Sequence, residues 1–215
     1  MNKIQLRLVR LTADSSGMTL VEVIVAIAIM GIVATAAIGL AISSTIGSVS
    51  QQRRAIAVTV ANAAMEKVSL FPAASLFSGR SLLAVKKSFD DNAGTSGVSK
   101  TYQEFDHMLG VLPAPTVPLY DSVTQNGTTY SVTTILGTCL QKLGTNVGDT
   151  AGGDCTKILP LPYAPVGAIG YTPLTRVIVI VGWTAGQECT VAGSCVYTVS
   201  TLLDSHSDLE WKANG

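Results

Sequence analysis

Apolar positions are distributed unevenly along this chain. No residue is charged from Val23 to Gln52, and residues 23–46 are almost wholly apolar. About 20 residues rising about 1.5 Å each cover the hydrocarbon core of a bilayer, so this run predicts one transmembrane helix over about residues 23–46. No later run comes close. Past it the pattern changes: Val58, Ala61, Met65 and Val68 recur at helical spacing, while Arg54, Asn62 and Lys67 fall off that stripe. The same helix is therefore expected to become amphipathic, to pack its outer half on a domain and to stop at Phe71-Pro72.

The remainder reads as strands and turns. Tyr130, Val132, Thr134 and Leu136 alternate with Ser131, Thr133 and Ile135, a β-branched strand pattern. Residues 176–183 are apolar on both faces, which places them in the middle of a sheet with one face under the helix. Residues 195–203 form a third strand, and 184–194 join the last two as a long-looped antiparallel hairpin. Residues 72–125 lack clear periodicity and hold turn formers such as Asp91-Asn92-Ala93-Gly94, Pro113, Pro115 and Pro118. The expected order is a leader (1–17), a long helix (18–71), a variable connecting region (72–125) and a β-sheet globular region (126–215). The class is α+β, a long helix packed on a small antiparallel sheet.

Composition sharpens this picture. The chain has 215 residues, 47% of them hydrophobic, with 14 basic and 14 acidic side chains. One membrane segment plus one domain fits such totals. Zero net charge without a basic stripe gives no electrostatic footprint for direct nucleic-acid binding. Ahead of the apolar run stand Lys3, Arg7 and Arg10 against Asp14, so 3 − 1 = +2, and the positive-inside rule keeps residues 1–17 in the cytoplasm. The C-terminal part is then exported. Four cysteines, all beyond residue 138, suit a compartment where disulfides persist.

Glu22 stands alone at the head of the apolar run. A carboxylate in hydrocarbon costs about 2.5–3.5 kcal/mol even on insertion scales, and such groups usually face a partner or snorkel to the headgroups. A secretory signal peptide would carry a shorter apolar region followed by a small-residue cleavage site; here the polar leader ends Asp14-Ser15-Ser16-Gly17, before the apolar segment. Met18 as an alternative start would discard the three leader cations.

Gly17 followed by Met18-Thr19-Leu20-Val21-Glu22 and an apolar helix resembles the class III signal of type IV pilins and pseudopilins. The resemblance implies a prepilin peptidase that cuts after Gly17 and N-methylates Met18, with Glu22 as the carboxylate that guides subunit assembly. Most members begin with phenylalanine where this chain has Met18, and the 17-residue leader exceeds the shortest type. A strand ending in Trp183, then a loop and a Tyr/Thr/Leu strand, resembles the minor pilins of the PilV type and the pseudopilins related to them. The implied fold is type IV pilin-like. The implied partners are the peptidase/methyltransferase, other pilin or pseudopilin subunits, an inner-membrane assembly platform and, before assembly, membrane lipid. The implied location is the bacterial inner membrane, single-pass, and later a pilus or pseudopilus. A type II secretion pseudopilin and a non-polymerising, membrane-anchored surface protein are the alternatives.

Gly31, Thr35, Gly39, Ser43 and Gly47 place small residues at every fourth position, which lets membrane helices approach closely, although glycine is common in such helices anyway. The four cysteines allow three pairings. Cys189 and Cys195 can close locally within the hairpin loop, and Cys139 with Cys155 would then tie off a Gly-rich loop. With no C-x-x-C pair, and with His107 and His206 far from the cysteines, no zinc site is expected. Ser205, His206 and Asp208 hold the letters of a triad but lack a nucleophile elbow. Asp90-Asp91 lacks an EF-hand pattern, and Asn126-Gly127-Thr128, though a glycosylation sequon, reads first as a turn. No cofactor and no enzymatic activity are expected.

Overall fold

The computed structural model describes residues 17–108, 110–142, 154–165, 167–184, 189 and 194–204. It divides into two compact units, residues 1–48 and 49–215. One helix, α1 (Leu20–Ser69, 50 residues), contributes to both. In the first unit every described side chain is exposed, so this part of the helix has no cover of its own. Its 18-residue apolar window is long and hydrophobic enough to cross a membrane. Three hydroxyls there bond to their own helix: Thr35 Oγ1 donates to the carbonyls of Gly31 (3.2 Å) and Ile32 (2.8 Å), Ser43 Oγ to Gly39 (2.9 Å) and Thr45 Oγ1 to Ala41 (2.9 Å).

In the second unit the remainder of α1 lies against a five-stranded antiparallel sheet. Its buried residues are Ala57, Val60, Ala61 and Val68, with Ala64 and Met65 half-buried. The contact stripe is thus centred one position away from Val58, which is only half-buried. Alanines let the helix approach closely, so the covered face carries smaller side chains than a search for bulky apolar residues selects.

The strands are β1 (Tyr102–Gln103), β2 (Tyr120–Gln125), β3 (Thr128–Lys142), β4 (Tyr171–Thr184) and β5 (Ser194–Asp204). Their order is β1-β3-β4-β5, with β2 also pairing β3. β2 covers Thr128–Thr133 of β3 and β1 covers Gly137–Thr138, so two strands share one edge. Between them Thr134 N donates to the Leu119 carbonyl at 2.8 Å, and the buried Arg80 guanidinium donates to the Thr134 carbonyl. Burial without a carboxylate partner lowers the Arg80 pKa to about 10. β2 and β3 meet at Asn126-Gly127, both with positive φ (49° and 72°), the conformation that Asn-Gly adopts in tight hairpins.

β4 is buried along both faces, as its composition predicts, and each face has its own core. Val177, Val179, Val181 and Trp183 join Tyr130, Val132 and Leu136 beneath α1. On the other side Ile178, Ile180 and Ile135 pack against a second helix, α2 (Leu82–Asp91), through Val85 and Phe89. This helix, β1 and β2 all come from the stretch read as a connecting region, so the folded unit draws on residues well before 126. The Ser81 side chain caps α2 by accepting from Ala84 N (3.3 Å). Lys86–Asp90 and Lys87–Asp91 pair along its exposed face.

Candidate functional site

Residues 17–19 precede the helix without regular structure, and α1 begins at Leu20. The Thr19 carbonyl accepts from Glu22 N (3.0 Å) and Val23 N (3.3 Å), while Thr19 Oγ1 also accepts from Glu22 N at 3.3 Å. Thr19 is therefore the cap, and Thr19-Leu20-Val21-Glu22 has the T-x-x-E spacing of a capping box. Sequence reasoning singled out Glu22 but missed Thr19, although that spacing was its signal. The arrangement places the carboxylate in the first helical turn, where the exposed N–H groups and the helix dipole favour negative charge.

The Gly17–Met18 bond lies in the open. Among the described residues, no atom beyond its chain neighbour comes within 4 Å of the place a Gly17 Cβ would occupy, and Met18 is 78% exposed. The bond precedes the cap, so cutting it leaves Thr19 and the first turn intact. Within the chain Glu22 is likewise exposed. The small residues Gly31, Thr35, Gly39, Ser43 and Gly47 are all exposed too, and the space above the three glycines is open.

The cysteines lie far along the chain from this site. One disulfide joins Cys139 on β3 to Cys155, and both residues are buried. Beside it Leu140 and Thr156 exchange backbone hydrogen bonds of 2.9 and 3.1 Å. A second disulfide joins Cys189 to Cys195 at the start of β5. Among the described residues no group of three His, Cys, Asp or Glu side chains could hold a metal ion. Residues 1–16, the Gly-rich loop from 144 to 153 and the Ser205, His206 and Asp208 group lie outside the described residues.

Comparison with known proteins bears on the N-terminus alone. No curated protein and no solved structure matches the chain. Residues 13–38 match the family model described as the prokaryotic N-terminal methylation motif. That span holds Gly17, Met18, Thr19 and Glu22 together with the start of α1, and it ends ahead of the globular unit. The chain thus carries, on a capped and uncovered apolar helix, the methylation motif of a type IV pilin- or pseudopilin-like precursor.

Proposed function

We propose that this chain is a pilin-like structural subunit, a minor pilin, whose work is assembly into a filament. The prepilin peptidase removes residues 1–17 after Gly17 and N-methylates Met18. Helix α1, first held in the inner membrane with its N-terminus in the cytoplasm, then moves through the assembly platform into the filament core. The observation that carries this reading is the placement of Glu22: a lone carboxylate in the first turn of an uncovered apolar helix, five residues past an exposed Gly17–Met18 bond.

Cleavage creates an α-amine, whose ordinary pKa near 8 leaves it largely cationic at neutral pH. Glu22 stands four residues from that amine, about 6 Å deeper once the new terminus winds into the helix. A neighbouring subunit shifted along the axis by about that distance brings its own amine to this carboxylate. In a low dielectric the pair is strongly attractive when aligned, whereas a buried charge left without its partner is costly, so the pair selects one register. Gly31, Thr35, Gly39, Ser43 and Gly47 give neighbouring helices room to approach. A type II secretion pseudopilin would have the same N-terminal chemistry, and it is the second reading of this motif.

Mass spectrometry of the mature N-terminus tests the reading. An N-methylmethionine at Met18 is the expected result, and an intact Met1 terminus on the membrane-resident protein would sink it. Gly17→Ala should retain the leader and stay out of filaments; normal incorporation of that uncleaved protein would contradict the mechanism.

A further inference from the structure

The sheet face turned toward α2 carries a concave feature to which α1 contributes no lining residue. A cleft of about 410 Å³ opens there, lined by Ser96, Gly97, Lys100, Asp154, Arg176 and Ser200 among others. In the β4–β5 register Arg176 lies opposite Leu202 and Ile178 opposite Ser200. Because Ile178 packs toward α2, Arg176, Ser200 and Leu202 share that side.

Arg176 is 8% exposed. Its Nη1 donates to the Gly97 carbonyl (3.1 Å) and Thr101 Oγ1 (3.3 Å), and its Nη2 to the Cys155 carbonyl. All three acceptors are neutral. Asp154, the acidic group in the lining, is hydrogen-bonded by Lys100 Nζ at 2.6 Å. Among the described lining residues, Lys100 and Arg176 against Asp154 give 2 − 1 = +1. Asp154 also attracts Arg176 through space, so two cations share one carboxylate, and such a site favours a further anion.

We propose that this cleft binds an acidic sugar, its carboxylate seated between Lys100 and Arg176 and its hydroxyls on the serine-lined walls. One net positive charge matches a monoanion. The volume far exceeds a bare carboxylate and falls within the range of about 300–1,000 Å³ common for small-ligand sites. Binding replaces the Asp154 carboxylate on Lys100 with that of the ligand, and Asp154, whose side chain is 78% exposed, turns out to solvent. The inference stands independently of filament assembly.

Opposite substitutions within the Lys100–Asp154 pair provide the test. The full chain in non-ionic detergent is titrated with glucuronate by saturation-transfer difference NMR, with glucose and acetate in parallel. Saturable glucuronate binding is expected, with acetate weaker and glucose silent. Asp154→Asn removes the competing carboxylate and should tighten glucuronate about two- to fivefold; Lys100→Ala should weaken it by a similar factor. Both side chains are substantially exposed, and unchanged circular-dichroism melts confirm that the variants fold. Glucuronate affinity unaffected by both substitutions overturns the site, and acetate binding as tightly as glucuronate overturns the sugar.

Discussion

At Gly137 the backbone of β3 runs so close to β1 that any Cβ would meet the Tyr102 carbonyl and the Thr101 methyl group. Backbone cannot give way as a flexible side chain does. Gly137→Ala should therefore push β1 away and cost about 1–3 kcal/mol, read as a lower midpoint in denaturant. Asp106 offers a pH-dependent case. Its carboxylate accepts from the backbone N–H of Gly79 (2.7 Å) and Met108 (2.9 Å), and these bonds hold its pKa below the usual carboxylate range. A depressed carboxyl contributes stability that is complete above its unfolded value near 4 and is lost as pH falls through the lower folded value. Asp106→Asn should lower the melting temperature at neutral pH, and that deficit should shrink on acidification below about pH 4. A deficit that stays constant down to pH 2 would rule out this linkage.

At the level of elements, legibility followed periodicity. α1 and the cores of β3, β4 and β5 stood out because long apolar runs or clean alternation announce themselves. The two-sided burial of β4 was legible from residues 176–183, yet what covers its second face was not. α2 has ten residues, and its helical signs are a serine cap, two i,i+4 charge pairs and the spacing of Val85 and Phe89. Turn formers on either side concealed it. β1 has two residues, and β2 shows no alternation of burial, so neither carries a strand signature. At the N-terminus the motif drew attention to Gly17 and Glu22, but Thr19 was passed over because its hydroxyl works locally, as a cap. The disulfide between β3 and Cys155 makes a measurable demand at this scale. Its closed loop spans a separation of 16 residues, so the double substitution Cys139→Ser, Cys155→Ser should cost about 3 kcal/mol by loosening the unfolded-chain constraint. Equilibrium unfolding against the oxidised parent measures that difference.

For the whole molecule, processing and assembly should be separable. Glu22→Ala leaves Gly17 and Met18 untouched, so leader removal should proceed while incorporation into filaments falls at least tenfold, about the effect of losing 1.4 kcal/mol of registry. Quantitative immunoblots of sheared filaments against membrane fractions read both numbers from one culture. Equal incorporation by the variant would show that register is set elsewhere along α1.

The inward-bonded hydroxyls of Thr35, Ser43 and Thr45 bear on how such a helix sorts between phases. With those protons already donated to its own carbonyls, the helix needs no new partner for them, whether acyl chains or other helices surround it. These three side chains then draw no distinction between lipid and protein neighbours. Glu22, the lone charge between Met18 and Gln52, does draw that distinction, so on the proposed route the helix's departure from lipid would be a partition step in which one carboxylate changes its surroundings.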